Sequence, residues 1–411
     1  MNVNQNLIKK YAELIVKTGA NVQKGQLVEL YSSIENAYFA EIVMEECYKA
    51  GARFVLVNWV NERASVISYK YATVDELKEI KPYTKAKYEY IANNKATRIF
   101  FEDSDPNAFK DIDPNKLAES EKDVNIFVSK LFDQIENQYQ WCIAGVPTKT
   151  WAKQVFPDDT DDVAVEKLWN LIFYVCRINE KDDVNLLWNK HNKTLKERCK
   201  KLNDYNFEYV EYKNSLGTNL KVKLVDGHIW KGGRDETTQG IEYYPNLPTE
   251  EVFSMPHSRG VDGILISTFP LSYNGTLIKD MKFEFKNGKV INFDASSGKD
   301  TLKHLLEMDE NACRLGEIAL VPYDSPIRES NTLFLSTLFD ENASCHFAFG
   351  DSYKDTVKDG LNMNKEQLYN IGSNESFIHV DFMVGSRDLS IVGTRKNGEK
   401  ITIFENGNFV I

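Results

Sequence analysis

Between Asn4 and Thr18 the apolar residues Leu7, Tyr11, Leu14 and Ile15 fall on one face at helical spacing, which predicts an amphipathic helix. A short strand follows over residues 27–31. A helix over 35–49 then turns Phe39, Ile42, Val43 and Cys47 inward and ends at Gly51, which can take the left-handed conformation of a C-terminal cap. Residues 53–59 are nearly continuously apolar, the pattern of a strand covered on both faces. Strand, helix and strand in this order predict a βαβ unit with a parallel sheet. Further strands are expected at 97–101 and 141–144, and long helices at 161–177 and 184–203.

Near Phe207 the period changes from helical to two. Residues 207–212, 220–224, 281–285 and 289–293 alternate apolar and polar, and so do 400–404. Asn287-Gly288 and Asn406-Gly407 separate neighbouring runs and are strong hairpin signals. The expected architecture is α/β followed by β-rich. A domain over 1–205 carries a mostly parallel sheet, and a β-rich catalytic domain over 206–411 carries the metal site argued below.

Of the 411 residues 42% are hydrophobic and 27% charged, values of an ordinary globular chain, so neither disorder nor a fibrous repeat is expected. Fifty basic residues against 61 acidic give a net charge of −11, which argues against a nucleic-acid partner or an anionic membrane surface. The longest apolar run, Leu171 to Cys176, is far short of the roughly 20 residues that span a bilayer. The first ten residues lack the apolar stretch of a secretory signal. The six cysteines are scattered with no CxxC, which reads as free thiols in a reducing compartment, the cytoplasm.

No dinucleotide fingerprint, Walker loop, G-x-S-x-G elbow or H-E-x-x-H occurs, so the α/β half reads as a scaffold. The second half sets polar residues in apolar company. Asn246-Leu-Pro-Thr-Glu250-Glu251-Val-Phe253 places two carboxylates between a proline turn and an apolar pair. Glu317 opens an apolar strand in Arg314-Leu-Gly-Glu317-Ile-Ala-Leu-Val321. A third segment runs from Asp340 and Glu341 through His346 to Tyr353, and a fourth is Phe377-Ile-His379-Val-Asp381-Phe-Met. Residues at i and i+2 of a strand share a face, so His379 and Asp381 project together, with Ile378, Val380 and Phe382 opposite. Such groups are costly to bury unless paired or bound to a metal, and the His/Glu/Asp set suits zinc, cobalt or manganese. Taken singly, each piece also has a structural reading: a solvated turn at Glu250 and Glu251, a strand edge at Glu317, a satisfied core histidine at His346, a surface pair at His379 and Asp381. The set says more than its members. His191, His228, His257 and His304 lie in polar or turn-like surroundings and read as surface, His257 standing nearest the cluster.

At these residues the chain resembles the metallo-aminopeptidases of the aminopeptidase T, aminopeptidase S and PepS type. The resemblance spans nearly the whole chain, from Gly19–Gln26 through Asn246–Phe253, Leu315-Gly-Glu317 and Glu341-Asn-Ala-Ser-Cys-His346 to His379-Val-Asp381-Phe-Met. It implies metal ligands at Glu251, Glu317, Glu341, His346, Tyr353, His379 and Asp381, with Glu317 bridging two divalent ions. Ser254-Met255 departs from the Thr and small residue common in the family, a change at the pocket wall that leaves the ligands intact. The resemblance also implies a homodimer acting on peptides with a free N-terminus.

Six or seven ligands exceed the needs of one tetrahedral zinc and suit two ions that share a carboxylate and activate water. The expected catalytic residues are Glu317, Glu250 as general base, and Tyr353 as a donor to the developing oxyanion. Glu250 has an equal alternative, facing solvent or orienting a ligand. Two other functions use the same residues: a two-metal amidase or deacylase on a small amide, and a non-enzymatic α/β binding protein with a structural metal.

Overall fold

The computed structural model describes residues 3–103, 105 and 107–411. Internal packing divides the chain into two compact units, Met1–Asn189 with Arg234–Pro248, and Lys190–Gly233 with Thr249–Ile411.

The first unit is built on a five-stranded sheet in the order Phe54–Val60, Leu27–Ser33, Thr97–Glu102, Trp141–Gly145, Asn246–Leu247, all parallel. Asn4 caps the first helix, Gln5–Leu14, its side chain accepting from the N–H groups of Asn6 and Leu7. That helix buries Ile8, Tyr11, Ala12 and Leu14, then widens into the π-helical turn Ile15–Gly19. Helix Ala37–Lys49 buries Phe39, Ala40, Val43 and Cys47, and Gly51 follows it at φ 99° as its cap requires. Phe39 packs on Tyr11, Phe101 and Trp169 at centroid distances of 5.3 to 5.7 Å, joining both helices to the sheet.

Two features depart from the expected layout. The apolar run that includes Phe54–Val60 is an edge strand, not one covered on both faces, and Phe54 and Trp59 stay about half exposed. Helices Glu62–Tyr71, Val74–Lys78, Pro82–Asn93 and Pro114–Asp133 also fill the stretch around the third strand. The first two bury no residue, so their sequence carries no apolar stripe to announce them.

The second unit pairs two antiparallel sheets over one hydrophobic core. The larger has eight strands in the order Lys289–Asp294, Lys282–Lys286, Pro256–Ile266, Asn219–Leu224, Phe207–Lys213, Ser390–Arg395, Lys400–Glu405, Asn408–Phe409. Asn287 and Gly288, then Asn406 and Gly407, all have positive φ, the conformation that tight hairpins demand. The smaller sheet runs Val252–Ser254, Leu315–Leu320, His346–Gly350, His379–Met383. Phe283 of the larger sheet meets Phe349 and Phe382 of the smaller at 5.1 and 5.2 Å between ring centroids.

The change of period near residue 206 marks the end of helix Val184–Tyr205. The division between units falls within that helix. It recurs at Arg234–Pro248 because Asn246–Leu247 pairs in parallel with Trp141–Gly145. All six cysteines are free and buried. Among the described residues no helix is long and apolar enough to cross a membrane.

Candidate metal centre

The four-stranded sheet sorts its side chains by the two-residue period. Val252, Ile318, Leu320, Phe347, Phe349 and Phe382 belong to the hydrophobic core. The alternate positions, His346 and Ala348 on one strand and His379 and Asp381 on the next, take the other face. Glu317 joins that face through a bulge: the register shifts between Leu315 and Glu317, and Glu317 then pairs with Ala348, which pairs with Asp381. Gly316 lies within the bulge, and a Cβ there would collide with the carbonyl oxygens of Gly350 and Asp351. Glu251 immediately precedes the strand Val252–Ser254.

Two groups of three ligand atoms result, each with its atoms within 4.8 Å of one another. One comprises Glu251, Glu317 and His346; the other comprises Glu317, His379 and Asp381. Glu317 is common to both. His346 Nε2 lies 3.0 Å from Glu251 Oε2 and 4.0 Å from Asp381 Oδ1. His379 Nε2 lies 3.1 Å from Glu317 Oε2 and 3.7 Å from Asp381 Oδ1. The far nitrogens meet backbone carbonyls, Nδ1 of His346 at 3.2 Å from Ser344 O and Nδ1 of His379 at 2.8 Å from Asp351 O. A neutral ring with its proton on Nδ1 would turn the Nε2 lone pair toward the carboxylates, the usual arrangement of a metal-binding imidazole.

Burial and mutual charge dominate the electrostatics. Burial pushes Glu317 up to about 7 against the pull of His379. Glu341 is raised well above the usual carboxylate range by burial, then by Asp381 and Glu251. Burial lowers both histidines, but the carboxylates outweigh it and hold His346 at about 10 and His379 at about 12. Burial raises Asp381, and His379 and His346 more than offset it. Buried carboxylates gathered this closely need positive charge, which the imidazoles supply here by staying protonated and which divalent cations would supply with the rings neutral. The oxygen and nitrogen donors fit borderline divalent ions.

The remaining expected residues have distinct positions. Glu341 lies on the short 3-10 turn Glu341–Ala343, outside both triads, though its charge is felt by them. Tyr353 packs its ring on His379 at 4.7 Å and on Phe253 at 6.0 Å. Tyr353 is about half exposed as a residue, yet burial and the carboxylates of Glu317, Asp381, Glu341 and Glu251 raise its hydroxyl above the ordinary phenol value. Glu250 is 3% exposed, so it does not face solvent. Its Oε2 lies 3.7 Å from His191 Nε2, and Arg198 also senses its charge.

His191 is not a surface residue. Its side chain is 9% exposed, and Nε2 lies 2.7 Å from Thr249 O. The sequence held a signal for this. Leu195, Cys199 and Leu202 form the buried stripe of helix Val184–Tyr205, and His191 stands one turn before Leu195 on the same face. His228 is buried as well, with Nδ1 2.9 Å from Val225 O.

With this geometry in view, comparison with known proteins is decisive. Residues 4–409 match the family described as thermophilic metalloprotease (M29). The chain belongs to the M29 metalloprotease family. M29 relatives include Aminopeptidase 2 of Geobacillus stearothermophilus, 39% identical over 410 residues, covering all of this chain and 99% of that one. Aminopeptidase PepS of Streptococcus thermophilus is 39% identical over 412 residues, again covering 100% and 99%. Among solved structures, wild-type AmpT from Thermus thermophilus aligns with a TM-score of 0.91 at 34% identity over 99% of this chain and 100% of that one. As an M29 member the chain is a peptide-bond hydrolase, and the family's description implies a divalent metal.

Proposed function

We propose that this chain is a metal-dependent aminopeptidase whose centre holds two divalent ions, zinc, cobalt or manganese. The observation that carries the reading is the pair of ligand triads sharing Glu317. Glu251 and His346 would hold one ion, His379 and Asp381 the other, and Glu317 both, with Glu341 and Tyr353 completing the set. Bound there, such ions lower the pKa of a water toward neutrality and polarise a peptide carbonyl. The relatives' names, aminopeptidase in each case, favour removal of N-terminal residues over the amidase and binding-protein alternatives.

The chain's own residues have separable tasks. Glu251, Glu317, Glu341 and Asp381 would together balance the charge of two divalent ions. Where Tyr353 stands outside the ligand set, its hydroxyl can instead donate a hydrogen bond to the oxygen of the scissile carbonyl. Glu250 is the candidate to accept the water's proton and return it to the leaving amine; such contacts often tighten only when substrate is bound. Six free, buried cysteines support a cytoplasmic setting, and the family resemblance supports a homodimer.

Leucine anilide and its N-acetyl counterpart test the activity. An aminopeptidase cleaves the first, requires added metal after chelation, and leaves the second intact. Equal cleavage of both would favour an amidase.

A further inference from the structure

The peptide unit between Thr249 and Glu250 has both of its polar groups held by side chains. Its carbonyl oxygen lies 2.7 Å from His191 Nε2, and its N–H donates to Asn342 Oδ1 at 2.7 Å. Ordinarily a buried peptide unit satisfies these groups within a helix or sheet. Here two elements remote in sequence do so, the helix Val184–Tyr205 through His191 and the turn Glu341–Ala343 through Asn342.

Asn342 is fully buried and does more than accept that bond. Its Nδ2 donates to Leu338 O at 3.2 Å and to Glu341 Oε1 at 3.2 Å. A primary amide combines an acceptor with two donor hydrogens, and this position uses all three. Aspartate would keep the acceptor, lose both donors and add an anion beside Glu341. On the other side, His191 Nε2 faces Thr249 O and, at 3.7 Å, the carboxylate of Glu250.

We propose that His191 and Asn342 clamp the 249–250 peptide so as to aim Glu250 and Glu251, and that Asn342 ties this segment to Glu341. Both are positioning residues. The peptide is planar, so turning it about its ends swings the side chains that follow. Fixing the plane from both edges therefore fixes where the Glu251 carboxylate arrives relative to His346. The inference rests on reading Glu251 and Glu341 as metal-holding residues.

The test is Zn²⁺ affinity of the full-length apoprotein, measured in competition with a chromophoric chelator, alongside its thermal midpoint without metal. His191→Ala, Asn342→Ala and Asn342→Asp are each expected to bind Zn²⁺ about 10–100-fold more weakly, the usual effect of removing a ligand's hydrogen-bonding support. In each, kcat should fall more than KM rises. His191→Gln, whose amide can still donate to Thr249 O, is expected to recover most of the affinity. Folded variants that bind Zn²⁺ within twofold of wild type overturn the proposal, even where the thermal midpoint drops, because that pattern is purely structural. Should the alanine variants not fold, Asn342→Asp and His191→Gln decide by the same criterion: wild-type affinity in Asn342→Asp overturns it, and a tenfold loss there with near-normal affinity in His191→Gln upholds it. Glu317→Gln is the control for the underlying reading. If it leaves Zn²⁺ affinity unchanged, the metal-site assignment has failed; if it weakens affinity and the clamp variants do not, only the clamp has.

Discussion

Glu317 and His379 approach within 3.1 Å across the strand His346–Gly350 that lies between theirs. They can meet because the middle-strand positions that pair with them, Ala348 and Gly350, carry at most a methyl group. Ala348 stands between Glu317 and Asp381 in the cross-strand row, and Gly350 pairs with His379. Room for the proposed metal centre thus depends on the absence of side chains as much as on the candidate ligands.

Ala348→Leu should fill this room. Ala348 is fully buried, and overpacking a tight interior costs roughly 1–3 kcal/mol. The expected result is a folded, moderately destabilised protein with little Zn²⁺ binding and no activity. Metal binding at wild-type strength in this variant would show that the ions sit elsewhere.

Glu317→Gln and Glu250→Gln should separate binding from proton transfer. The first is expected to abolish activity and release metal, because the shared carboxylate loses its charge. The second should keep its metal while kcat falls, on the order of 10²–10⁴-fold for a lost general base. Metal analysis beside peptide kinetics reads both, and full activity in either variant removes the role given to that residue.

Chelation should lower thermal stability, since it leaves Glu251, Glu317, Glu341 and Asp381 to the two imidazoles alone. Zinc at about 100 times its Kd should raise stability by about 2.7 kcal/mol per independent site. Calorimetry with and without chelator checks this, and an unmoved transition would show that the folded state holds no ion.

Asp103 gives a pH signature far from the metal ligands in sequence and within the other unit. Its Oδ2 accepts from Ser33 N at 2.8 Å and Asn36 Nδ2 at 3.1 Å, yet burial pushes its pKa up to about 7. The unfolded chain releases this proton near 3.8. Between those values the folded state binds more protons, so this group's contribution makes stability fall as pH rises from about 4 to 7 and level off above. Asp103→Asn keeps an acceptor and should remove that slope, gaining up to about 4 kcal/mol over wild type by pH 7.5. Identical pH slopes in the two proteins would show that Asp103 ionises normally.

How far the sequence revealed this molecule depended on which physical pattern each part used. The period-two runs and the Asn-Gly turns announced the β-rich half because alternation and positive φ leave a local mark. Glu317, His346, His379 and Asp381 are legible as polar residues in apolar strands and Glu251 as a carboxylate beside an apolar pair, and the structure brings the five side chains near one another. Helix Glu62–Tyr71 left no mark because it buries nothing. Asn246–Leu247 is only two residues long, too short for any period, so its return to the parallel sheet was hidden. Residues 53–59 looked doubly covered because their run is apolar, whereas their position at an edge is a property of topology. His191 reads as a surface residue from its polar surroundings, although its spacing to Leu195 places it on the buried stripe. Asn342 has no sequence signature, because its role lies in three partners assembled only by folding.

Anomalous diffraction at the zinc edge from crystals of the zinc-loaded protein is the most direct measurement of the central claim. Two peaks per chain are expected, one in contact with Glu251 and His346, the other with His379 and Asp381, and both with Glu317. A single peak, or peaks away from Glu317, would contradict the shared-carboxylate centre.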